Sequence, residues 1–188
     1  MLFRSEELRH LLLHNGTLWR WNRPIIGLEN KKPGLRLENR VTPSGPTIVD
    51  ILANTLFLIG LVYGLVNLNK SPELLLPFKE AEKNFYKSAK KSLRSRLTWI
   101  DGNSYSAQKL ILEVLLPLAS KSLKTLGLNN SNIHTYMTEI IQERTKSRQN
   151  GADWQKTFIK ANGRNFNKLV KAYLKNQHSN TPVHAWQI

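Results

Sequence analysis

The spacing of apolar and polar positions changes several times along this chain, and each change marks an element. Residues 1 to about 13 carry Leu2, Phe3, Leu8, Leu11, Leu12 and Leu13 at spacings that predict a short helix. Asn15-Gly16 is a turn signal, and Thr17–Trp21 mixes β-branched and aromatic residues as a strand does. Pro24 ends or edges that strand. Glu29–Gly34 reads as a polar loop. From Leu35 to Val41 the period becomes two: Leu35, Leu37, Asn39 and Val41 share one face, and Arg36, Glu38 and Arg40 share the other.

The remainder reads as helical. Two prolines and a glycine within Thr42–Thr47 make a turn, and Thr47 with Asp50 suits a helix start, where side-chain oxygens satisfy the first free amides. No charged residue occurs from Ile51 to Asn69. That length is enough to span a bilayer. Asn54, Asn67 and Asn69 are polar, however, and Gly60 and Gly64 let another helix approach closely, so the segment reads as a helix of a soluble core. A helix is predicted from Pro77 to Leu97, broken by Asp101-Gly102-Asn103. Another runs from Ser106 to Leu126, kinked at Pro117 and stopped by Gly127. Two more are predicted, from Asn132 to about Lys146 and from Asp153 to about Lys175, the second weakened at Gly163. The tail through Pro182 and Trp186 reads as irregular. The pattern gives an α+β class, mostly helical, with a short antiparallel strand pair. It reads as a single partial domain, with strands and a turn in 1–46 and helices in 47–188.

Composition narrows the picture. Hydrophobic residues make up 40% of the 188 and charged residues 22%, ordinary globular usage. The absence of cysteine excludes disulfides, thiolate metal sites and a cysteine nucleophile, and suits the cytoplasm. Arg4, Glu6, Glu7 and Arg9 interrupt the N-terminus and argue against a secretory signal. Lys+Arg 28 against Asp+Glu 13 leaves +15. Residues 1–70 hold 9 basic and 5 acidic residues, a net +4, so residues 71–188 hold 19 and 8, a net +11. The basic residues are spread through helical repeats rather than gathered in one patch. They read as a solvated basic surface more than as a nucleic-acid site.

Signatures of common chemistries are missing from the sequence: no Walker-type loop, dinucleotide fingerprint, zinc-protease helix or nucleophile elbow. His10 and His14 are four apart and read as structural. The row Arg36–Glu38–Arg40 is the most informative feature. A carboxylate can ligate a hard cation such as Mg²⁺, and flanking guanidiniums can clamp phosphate or carboxylate oxygens. Phosphoryl transfer needs that combination, although local salt bridging on an exposed strand explains the same pattern. The stretch His14–Pro24 adds two Trp, two Arg, a His and a Thr, residue types that suit ligand recognition as well as half-buried packing.

The run HNGTLWRWNRP followed by LRLENRVTPSGPT resembles the glutamate–cysteine ligase superfamily of carboxylate–amine ligases, closest to the bacterial family 2 branch. His14, Thr17 and Arg23, then Leu37, Glu38 and Arg40, match the family's ordered motifs. NFYKSAKKSL, LEVLLPLASKSL, RQNGADWQ and TPVHAW extend the resemblance over nearly the whole chain. It implies a glutamine-synthetase-like catalytic cradle, ATP and Mg²⁺ as cofactors, and glutamate with an amine such as cysteine as substrates. It further implies Glu38 as a metal ligand, Arg40 as the catalytic group at the transferring phosphoryl, and Thr17, Trp21, Arg23 and Arg36 on the substrate side.

Family members are longer, with further cradle strands and most metal-binding carboxylates before the part seen here. The chain is therefore expected to be a fragment, a remnant or one half of a split enzyme, inactive alone and completed by an upstream-encoded N-terminal half. Open strand edges would invite self-association. The alternative reading is a basic helical module that binds nucleic acid or another partner without catalysis. A membrane partner is not expected.

Overall fold

A computed structural model describes residues 22–29, 32–41 and 45–188. The expected helix at 1–13, the strand at Thr17–Trp21 and the pair His10/His14 lie outside the described residues. The chain divides into two units, Met1–Pro43 and Ser44–Ile188.

In the first unit, β1 (Asn22–Glu29) pairs antiparallel with β2 (Lys32–Asn39), from Asn22 opposite Asn39 to Glu29 opposite Lys32. The loop expected at Glu29–Gly34 is a correction: Glu29 belongs to β1, and Lys32–Gly34 belong to β2. Gly27 stands opposite Gly34 in this register. Pro24 lies inside β1 rather than at its end. Among the described residues each strand has a single neighbour, so each is an edge strand, where a missing amide is tolerated.

The second unit opens with α1 (Ile48–Val66), whose start follows the capping expectation. The Thr47 hydroxyl accepts the Asp50 amide at 3.2 Å. Gly60 and Gly64 let α1 approach α5 (Leu116–Thr125) closely. A Cβ on Gly60 would stand 2.7 Å from the Ala119 carbonyl oxygen, and one on Gly64 would stand 2.7 Å from Leu118 and Ser122. The small residues thus serve a contact within the chain. The opposite side of α1 remains exposed along its whole length through Ile48, Ile51, Leu52, Ile59, Val62 and Val66. By length and composition α1 is apolar enough to cross a membrane.

After the short α2 (Pro72–Leu75), α3 (Phe78–Lys91) begins just behind Pro77, but it does not reach Leu97. Ser92 takes a positive φ, a 3₁₀ turn Ser92–Arg94 follows, and β3 (Arg96–Thr98) pairs antiparallel with β4 (Ser104–Ser106). The Asp101–Asn103 breaker is therefore the tip of a hairpin, a correction to the helix expected through this region. Asp101 accepts from the Asn103 amide at 3.0 Å and from the Tyr105 hydroxyl at 2.5 Å.

The next helical run comprises α4 (Ala107–Leu110), a π-helical stretch Ile111–Leu115 and α5. Pro117 has no amide to donate, and the widened turn just before it accommodates that loss. Gly127, at φ 90°, ends α5. Leu128 N–H donates to the Leu123 carbonyl and Gly127 N–H to the Lys124 carbonyl, closing the helix by the pattern glycine favours. A second run consists of α6 (Asn130–Ile133), a π-helical stretch His134–Gln142 and α7 (Glu143–Ser147). The single helix expected over 153–175 is two, α8 (Gly151–Asn162) and α9 (Phe166–His178), separated around Gly163.

Two buried clusters hold this unit together. Ala53, Leu116, Ala119, Leu123, Met137, Ile140 and Ile141 form one. Trp154, Phe158, Leu169, Val183 and Trp186 form the other. The tail expected to be irregular is a further correction: Val183–Ala185 forms a 3₁₀ turn, and Val183 and Trp186 are buried. Trp186 sits edge-on to Trp154 at 5.2 Å and to Tyr173 at 5.1 Å. Gln149 Nε2 donates to the Val183 and Trp186 carbonyls, both at 2.9 Å, and the indole N–H of Trp154 donates to the Gln187 carbonyl at 2.9 Å. The architecture is thus mostly helical with two short antiparallel strand pairs, an α+β arrangement.

Candidate functional site

The alternation along β2 survives folding. Opposed residues of an antiparallel pair share a face, so the register sets Arg36 and Glu38 on one side with Ile25. Leu35 and Leu37 share the other side with Ile26 and Pro24. Arg40 follows the strand, and its Nη2 donates to Glu38 Oε1 at 3.1 Å, with Oε2 also 3.1 Å away. Both side chains are about a third exposed, so the ion pair is screened and adds little stability. The Arg36 guanidinium lies against Gly27, where an added Cβ would come within 3.0 Å of Arg36 Nη2. Glycine at position 27 therefore leaves room for that guanidinium on the strand face.

Of the site residues expected from sequence, Arg36, Glu38 and Arg40 lie on this one stretch of chain. The backbone of Arg23 stands opposite Glu38, while its side chain lies outside the description. Thr17 and Trp21 lie outside the described residues. The arrangement is a carboxylate between two guanidiniums, able to receive an anion at the arginines. Its other face is apolar and open: Leu35 and Leu37 are 66% and 70% exposed.

The implied Mg²⁺ fits this set poorly. Among the described residues no group of three or more His, Asp or Glu side chains could hold a metal ion. Glu38 is the one carboxylate of the row and is already bonded to Arg40. Mg²⁺ requires a full octahedral oxygen shell, which these residues do not supply by themselves.

A second polar centre, legible in the sequence only as a helix cap, lies inside the helical unit. Asp50 is fully buried. Its carboxylate accepts from Arg144 Nη2 at 2.7 Å, from the Thr47 hydroxyl at 2.8 Å and from the Val183 amide at 3.1 Å. Arg144 also donates to Asn54 Oδ1 at 2.6 Å. Burial pushes the Arg144 pKa down, and the attraction of Asp50 opposes that shift. Burial raises Tyr173, with a smaller push from the Asp50 charge. His184 is held below the ordinary imidazole value, by burial first and by Arg144 second. This cluster joins α1, α7 and the C-terminal turn. Its carboxylate is consumed by internal partners, so its role is structural. Beside it the stretches RQNGADWQ and TPVHAW meet through Gln149 and Trp154.

No family model, no characterised protein and no solved structure matches this chain.

Proposed function

We propose that this chain contributes one wall of the site of an ATP-dependent carboxylate–amine ligase of the glutamate–cysteine ligase type. On this reading β1 and β2 are part of a glutamine-synthetase-like cradle. The observation that carries it is the row Arg36–Glu38–Arg40 on one strand face with Arg23 opposite Glu38 in register.

In the reaction ATP would be the phosphoryl donor. Its γ-phosphoryl group passes to the glutamate side-chain carboxylate, giving ADP and an acyl phosphate. The amine then attacks the carbonyl carbon, forms the amide and releases phosphate. The arginines fit such a step because its catalysis is chiefly positioning and charge neutralisation. Arg40 is the group for the transferring phosphoryl oxygens, and Arg36 is placed to hold a carboxylate or phosphate. Thr17, Trp21 and Arg23 belong to the substrate side. Glu38 keeps Arg40 extended along the strand.

The test is ADP release from ATP, Mg²⁺, glutamate and cysteine, with and without the product of the adjacent upstream gene. Activity is expected only in the mixture, falling by two orders of magnitude or more (about 3 kcal/mol of transition-state stabilisation) in Arg40→Ala. No ADP release in either case, together with no nucleotide binding by calorimetry, removes the catalytic reading.

A further inference from the structure

The basic residues looked dispersed along the sequence, yet α3 collects several on one face. Lys79, Lys83, Lys87 and Lys90 follow one another at helical spacings of four, four and three, and Lys91 flanks them. All five are exposed. The other side of the helix is occupied, because Asn84 seats α3 on β3: its Oδ1 accepts the Thr98 amide at 3.0 Å, and its Nδ2 donates to the Thr98 carbonyl at 2.7 Å. The lysine face is thereby fixed outward.

Tyr86 stands among these lysines and is 64% exposed. Phe85 supports it from the half-buried side, with ring centroids 5.5 Å apart and planes at 82°. An open groove of about 330 Å³ is lined by Lys83, Tyr86, Lys87, Lys90, Lys91 and Glu82. Lys83 is held by Glu80 at 2.6 Å, whereas Lys87, Lys90 and Lys91 have no ion-pair partner among the described residues. Lysines repeating every turn, about 6 Å apart along the axis, present a row of point charges suited to successive phosphates. The exposed ring gives one base a surface on which to stack. A lipid surface would call for a broad apolar face, whereas Tyr86 stands among cations and the other exposed ring of the helix, Phe78, lies apart at its start.

We propose that the outward face of α3, with Lys83, Lys87, Lys90, Lys91 and Tyr86, binds single-stranded nucleic acid by phosphate contacts and base stacking. The proposal is independent of the ligase reading. The acid at the groove, Glu82, weakens phosphate binding and limits its affinity.

The test uses the full chain and a short fluorescein-labelled oligo(dT), read by anisotropy over a range of salt. With four lysine contacts, the slope of log affinity on log salt should be about −3. Replacing Lys83, Lys87, Lys90 and Lys91 together by Ala should remove most of that slope. Tyr86→Ala should weaken binding by about five- to a hundredfold, and Tyr86→Trp should restore it. Glu82→Gln should tighten it. A control replacing Lys168, Lys171 and Lys175 of α9 by Ala removes nearly as much charge and should leave affinity within about twofold once the salt term is allowed for. Circular dichroism melts check that each variant is folded. Equal losses from the α9 control and the α3 variant would overturn the proposal, because binding would then follow net charge alone. So would indifference to Tyr86, or equal competition by poly-glutamate or by phosphatidylserine vesicles.

Discussion

The hairpin β1–β2 and the helical unit solve opposite problems. Among its described residues the hairpin buries none, leaves Leu35 and Leu37 open, and sets a carboxylate between two guanidiniums on its other face. The helical unit buries two apolar clusters and joins its first and last segments through one fully enclosed carboxylate. Charge in the hairpin stays in contact with water, where its pairing is weak and its availability to a ligand is high. Charge at Asp50 and Arg144 is withdrawn from water, where each partner depends on the other. The same two chemical groups, carboxylate and guanidinium, are therefore left open to water in one region and serve cohesion in the other.

That contrast can be broken by experiment, beginning where the effect should be greatest. Asp50→Ala leaves the Arg144 guanidinium buried without its counter-charge and frees the Val183 amide. It should cost about 3–5 kcal/mol in urea unfolding, and a loss below 1 kcal/mol would mean that water reaches this centre. Trp186→Ala removes a ring packed against Trp154 and Tyr173, and a cost of about 3–5 kcal/mol is expected. Gly60→Ala presses a methyl group on the Ala119 carbonyl and should lower the melting temperature, at a cost of about 1–3 kcal/mol. A neutral outcome there would show that α1 and α5 can part without penalty.

The smaller effects sharpen the comparison. His184 has a folded pKa below its unfolded value, so the unfolded chain takes up the proton first. Stability should be intact above about pH 6.5 and decline as the pH falls below it, until folded His184 also protonates. His184→Asn should flatten that slope in unfolding midpoints measured from pH 8 to pH 5. Glu38→Gln, in the hairpin, should move the same midpoint by less than about 0.5 kcal/mol. A shift as large as that of Gly60→Ala would show that the hairpin carries stability.

Much of the helical body was legible in the sequence, for local reasons. The uncharged run from Ile51, the cap at Thr47, and the glycines at 60, 64 and 127 each specify backbone or close contact within a few residues. The charged row of β2 was equally plain, because alternation in a strand needs no tertiary context. The errors lay where pairing partners decide the outcome. Arg96–Thr98 has apolar Leu97 in helical phase with Leu93, and only its ladder with Ser104–Ser106 makes it a strand. Lys32–Gly34 has loop-like composition, and only pairing with Gly27–Glu29 extends β2 through it. The tail looked irregular because its order comes from Gln149, Trp154 and Asp50, all distant in sequence. Asp50 itself advertised a cap, while its carboxylate partners, Arg144 and Val183, lie 94 and 133 residues further on.

That last separation has a consequence for how the protein is made. Asp50, in the first turn of α1, leaves the ribosome 133 residues ahead of its backbone partner Val183. At about 5–20 residues per second, the interval is on the order of ten seconds. Through that time the carboxylate and the exposed α1 lack the turn that closes over them. The helical unit can therefore finish folding only after Val183 has emerged. A ribosome stalled shortly before Val183 would display a chain that has most of its helices and none of its final closure, a natural substrate for chaperones and proteases.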